Sequence, residues 1–126
     1  MPKVSKESAT QGGDFGPVLD RSEDLDGYTV GFTLFRETVD GTPLMKGLPG
    51  DRCQCPHWGY VLSGSFTFRY PDHEEVYEAG DAFYTPPGHI PASNEPNSEM
   101  VMFSPAAQLQ ETEAAIMRNM EAMRAG

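Results

Sequence analysis

Gly47–Gly64, GLPGDRCQCPHWGYVLSG, holds both cysteines of the chain and one of its three histidines. Cys53, Cys55 and His57 stand two residues apart. Alternate side chains of a β-strand leave on the same face. An extended backbone here therefore points two thiols and an imidazole the same way, in steps of about 7 Å. Such a row is a set of soft and borderline metal ligands. Tyr60-Val61-Leu62 followed by Ser63-Gly64 reads as the end of a strand running into a hairpin.

Around this stretch lies a chain of 126 residues with a formal net charge of -10. That is one domain's length, and a domain of this size buries roughly two-thirds of its unfolded surface without a disulfide staple. The acidic balance argues against nucleic acid and anionic membranes as partners, because both need a basic footprint. No apolar run approaches the roughly 20 residues of a membrane span. The opening MPKVSKESATQGGDFG has no hydrophobic signal region. The expectation is a soluble, cytoplasmic protein. A Cys53–Cys55 disulfide would be strained, since strand neighbours two apart have parallel Cβ vectors. In a reducing cytosol the pair reads as ligands or as buried thiols.

Residues 1–24 are polar and glycine-bearing and are expected to form an irregular N-terminal arm. From Gly27 the composition shifts: Tyr28 to Phe35 is aromatic and β-branched and reads as a strand. Asp40-Gly41 signals a turn, and Thr42 to Lys46 is expected to be a short strand. Ser65-Phe66-Thr67-Phe68-Arg69-Tyr70 alternates polar and aromatic with period two. Glu74 to Glu78, Ala82 to Thr85 and Glu99 to Phe103 are further strands, separated by Pro71-Asp72, Ala79-Gly80-Asp81 and Pro86-Pro87-Gly88. Many short strands without intervening helices indicate a β-sandwich or barrel. Ser104-Pro105 reads as a helix N-cap with proline in the first turn. Leu109, Ile116, Met120 and Met123 then mark one helical stripe, expected to pack on the barrel. The organisation predicted is an arm at 1–24, a β-barrel at 25–105 and a helix at 106–126.

Two groups of residues resemble the motifs of the cupin superfamily. Gly47-x5-Cys53-x-Cys55-x-His57-x6-Gly64 is similar to the first cupin motif, with cysteines where the family has two histidines and His57 for its glutamate. Gly80-x5-Pro86-x-Gly88 is similar to the second. There Pro91 occupies the histidine position, His89 lies two residues earlier, and Asn94 is one place from the expected asparagine. The resemblance spans about Gly27 to Pro105. It implies an all-β, cupin-type barrel (a double-stranded β-helix, or jelly roll) carrying the arm and the C-terminal helix. It also implies that ligands from the two motifs converge inside the barrel, and it favours a homodimer.

On that basis Cys53, Cys55, His57 and His89 are the candidate metal ligands, and the thiolates favour zinc over the iron or manganese usual in the family. The bland alternative is that all four are core residues of a barrel without metal. Three readings of function stand side by side. One is a metal-binding cupin of small-molecule metabolism, with the ion polarising a carbonyl or activating water. The second is a non-enzymatic binding or sensing module with a structural metal or none. The third is a thiol sensor, which needs exposed, acidic thiols. His73 is expected to be solvated at a hairpin tip. Trp58 and Tyr60 are expected on the opposite face from His57, and Tyr84 at the mouth of the barrel.

Overall fold

Among the described residues, turns separate nine strands, which pair into two antiparallel sheets. The structure, a computed structural model, describes residues 2–125. The strands are β1 Gln11–Asp14, β2 Val18–Leu25, β3 Tyr28–Phe35, β4 His57–Ser63, β5 Ser65–Arg69, β6 Glu74–Glu78, β7 Ala82–Thr85, β8 Ile90–Asn94 and β9 Ser98–Pro105. One helix, α1 Ala106–Ala125, follows. The larger sheet runs β1-β2-β3-β9-β4-β7 and the smaller β6-β5-β8. This is the two-sheet cupin-type jelly roll, all-β apart from the terminal helix.

The alternation at Ser65–Arg69 does what its period requires. Phe66 and Phe68 are buried, and they join Val61, Tyr70, Phe83 and Met100 in the core between the sheets. The chain crosses from one sheet to the other at Gly64, whose φ is +71°. A Cβ there would lie 2.0 Å from the Ser98 hydroxyl, so only glycine fits. Gly59, in the middle of β4, serves close packing instead: a Cβ would come within 2.4 Å of the Phe83 ring. A second cluster, Met45, Cys53, Cys55 and Ile90, sits at one end of the barrel under Leu109 and Ile116 of α1.

Three local expectations change. The segment expected as an irregular arm carries β1 and β2. β2 is polar on both faces, and it is a strand because all eight of its residues pair with β3, a case of tertiary pairing overriding propensity. Arg36 closes the turn between β1 and β2 by donating to both Asp14 carboxylate oxygens, at 2.8 and 3.1 Å, and to the Gly16 carbonyl. Residues 2–10 remain free of strand and reach β9, where Lys6 pairs with Glu99 at 3.0 Å.

Thr42–Met45 is a 3-10 turn rather than a strand. Asp40 accepts from both the backbone and the hydroxyl of Thr42, and Pro43 fixes the first turn. Finally, Ser104 does not begin the helix: β9 continues through Pro105, and the serine hydroxyl is engaged elsewhere. α1 packs as its stripe predicts through Leu109 and Ile116, whereas Met123 is exposed.

Candidate metal centre

The two ligand-bearing segments meet through their backbones. Cys53 and His89 form an isolated antiparallel bridge. The Cys53 N–H donates to the His89 carbonyl at 2.9 Å, and the Gly88 N–H donates to the Cys53 carbonyl at 2.8 Å. This bridge carries the thiol and the imidazole to one point. His57, the first residue of β4, completes the group from the neighbouring strand. One ligand atom from each of Cys53, His57 and His89 lies within 4.8 Å of the others, and all three residues are buried.

Cys55, expected in the same set, is not brought there. Pro56 has no N–H to continue a ladder, and residues 54–56 lie outside any strand, so no strand geometry holds Cys55 in line with Cys53 and His57. The Cys55 thiol instead faces the carbonyls of Pro56 and Pro105, at 3.5 and 3.9 Å. Burial, reinforced by the nearby Cys53 and Glu113 charges, pushes it up to about 12. It is a protonated, inert core thiol at neutral pH.

The geometry of the triad suits a small cation. Zinc holds sulfur at about 2.3 Å and imidazole nitrogen at about 2.0–2.1 Å, so tetrahedral donors sit about 3.6 Å apart. Cys53 Sγ lies 3.7 Å from His57 Nε2. Each imidazole is anchored through its other nitrogen. His89 Nδ1 is 2.7 Å from the Pro86 carbonyl, which only accepts, so Nδ1 bears the proton and Nε2 keeps its lone pair. His57 Nδ1 is 2.6 Å from the Ser104 hydroxyl. Outer partners of this kind orient metal-binding imidazoles. Burial, together with the His89 charge, pulls His57 down to about 3, and burial lowers His89 as well. Both rings are therefore neutral and able to bind metal. Burial raises the Cys53 thiol, and a bound cation reverses such a shift.

Cys53 and His57 open onto a cavity of about 520 Å³ between the inner face of β2–β3 and α1. Phe35, Met100, Met102 and Ile116 give it mostly apolar walls, and Asp20 and Glu113 add two carboxyls. Thr112 of α1 touches Cys53 Sγ at 3.3 Å, so the helix forms one side of both the site and the cup. The other residues considered lie apart. His73 is exposed at its hairpin tip, hydrogen-bonded to Asp72. Tyr84 faces outward against Trp58 rather than lining the barrel mouth.

Ser104, Thr112, Asp20 and Glu113 were not anticipated. Ser104 alone leaves a trace in the sequence: it continues the inward parity of Met100 and Met102 on β9, a polar residue at the end of an apolar stripe.

No family model matches the chain, and no curated protein matches it. Solved structures do. The polyketide cyclase RemF from Streptomyces resistomycificus superposes with a TM-score of 0.58 at 15% identity, covering 83% of this chain and 79% of its own. An RmlC-like cupin from Shewanella frigidimarina gives 0.53 at 18% identity, over 83% and 92%. A protein of unknown function from Rhizobium leguminosarum gives 0.59 at 16% identity, over 82% and 94%. At these identities the likeness is one of architecture, and the architecture of this chain is that of a small cupin-type domain.

Proposed function

We propose that the chain is a metal-binding cupin of small-molecule metabolism, with a divalent ion, zinc, held by Cys53, His57 and His89. The observation carrying this reading is that three donors converge while Cys55 turns away. Three protein donors and an exchangeable fourth position are the pattern of catalytic zinc, whereas four donors close a structural site. The mixed sulfur and nitrogen set favours zinc, and a redox-active ion would put the thiolate at risk of oxidation. When bound, such an ion polarises a carbonyl or lowers the pKa of water.

The chain's own groups would do the rest. The Pro86 carbonyl holds the His89 proton on Nδ1, and with His57 Nε2 turned to the ion Ser104 would accept the His57 Nδ1 proton. With the Cys53 thiol ionised, Thr112 would donate to its sulfur. The apolar walls exclude water and so strengthen each polar contact made inside.

Elemental analysis with single substitutions tests the reading. Purified protein should carry close to one zinc per chain, Cys53→Ser should lose it, and Cys55→Ser should retain it. Zinc that survives Cys53→Ser but not Cys55→Ser would sink the assignment. Because the thiol must shed its proton, zinc affinity should fall as pH is lowered, with proton release on binding.

A non-enzymatic module is the second reading. It draws on the fact that the triad is satisfied without an ion: Cys53 Sγ meets both His57 and Thr112. Absence of metal from the purified protein would favour it. The thiol-sensor reading is weakened by burial of both cysteines. We further propose that the chain works as a homodimer in the reducing cytoplasm. Support comes from its two free thiols and from the exposed Tyr28, Trp58, Tyr60, Tyr84 and Phe103 on the outer face of the larger sheet.

A further inference from the structure

Two carboxyls project into a cavity that is otherwise mostly apolar. Asp20 comes from β2 and Glu113 from α1, and both line it. Asp20 has a single side-chain partner, the Thr33 hydroxyl at 3.4 Å. Among the described residues no lysine, arginine or histidine pairs with either carboxyl: the ion pairs of the protein involve Asp14, Asp72, Glu74, Glu75 and Glu99. Burial raises the pKa of Asp20, and burial with the charges of Asp20 and Asp24 raises that of Glu113. Two acidic groups, Asp20 half-buried and Glu113 exposed, thus line one cavity without a counter-charge. Cys53 and His57 line the same space.

We propose that Asp20 and Glu113 form the recognition wall of this cup, holding the cationic amine of a ligand whose apolar body lies against Phe35, Met100, Met102 and Ile116. An ammonium supplies the missing counter-charge and donates hydrogen bonds to both carboxyls. The methionines give a deformable apolar surface beside it. A volume of about 520 Å³ lies within the range of small-molecule sites. The inference rests on the small-molecule half of the reading above, and it does not require the ion.

The test compares 4-phenylbutylamine, 4-phenylbutanol and 4-phenylbutyrate by calorimetry on purified protein, before and after chelator treatment. The amine should bind at least tenfold more tightly than the alcohol. The Asp20→Asn, Glu113→Gln double variant should abolish that preference with its melting temperature kept. An Asp72→Asn, Glu74→Gln variant, equal in net charge but altered far from the cup, should keep the preference. Failure of the amine to bind, equal affinity for amine and alcohol, or a preference surviving in the double variant would overturn the proposal. The two readings can fail separately. An amine preference in protein that never holds zinc leaves this inference standing and removes the metal. Zinc at Cys53 with no amine preference removes this inference alone.

Discussion

Cys53 and Cys55 share a residue type, a depth of burial and nearly a position, and they end in different chemistry. Cys53 bridges to His89 and faces His57, whereas Cys55 faces two carbonyls. Histidine burial sets a pH dependence for the metal-free protein. The folded pKa of His57, about 3, lies below the ordinary value of about 6.5. Below pH 6.5 the unfolded chain accepts a proton that the folded one refuses. Stability is therefore complete above that point and declines as pH falls toward 3, by about 1.4 kcal/mol per pH unit for such a histidine. His89 acts in the same direction. Asp20 and Glu113, with raised values, act in the opposite one. Urea midpoints of chelator-treated protein should fall between pH 6.5 and 5.5, and less so in His57→Gln. A flat profile would mean that the imidazoles are solvated.

At the scale of elements, Gly59→Ala forces a methyl group to within 2.4 Å of the Phe83 ring and 2.8 Å of the Val101 carbonyl. It should cost about 1–3 kcal/mol, as overpacking does, read as a lower urea midpoint. Arg36→Ala should act differently. Its pair with Asp14 is exposed, so the global melting temperature should hardly move, while amide protection across β1 should fall. Hydrogen exchange separates the two outcomes. These strands also show what the sequence could convey. β3 was legible from its aromatic and β-branched residues, and β5 because aromatic residues recur with the strand period. β2 was not, because its charges fall on both faces and its strand character comes from pairing with β3. The same limit applied to the site: His57 and Cys53 were legible as ligand types, whereas the departure of Cys55 from their line depended on where the ladder stops.

At the scale of the whole molecule, the outer face of the larger sheet carries Trp58 packed on Tyr84 at 5.0 Å and on Tyr28 at 6.4 Å between ring centroids. Burying such rings against a second copy removes apolar area from water. Sedimentation should give a dimer at micromolar concentration, and Trp58→Glu should shift it to monomer with zinc content unchanged. A wild-type monomer would leave that face without its partner.

Helix α1 contributes Thr112 beside the sulfur and Leu109, Glu113, Ile116 and Met120 to the wall of the cup. Those positions lie on a single continuous segment outside both sheets. Substitutions at Leu109, Glu113, Ile116 and Met120 alter the wall proposed to hold a ligand without touching a strand register, whereas Thr112 also contacts the Cys53 sulfur. A helix exchanged from another chain of the same architecture would carry its selectivity with it, as a bit is changed in a drill whose motor stays in place.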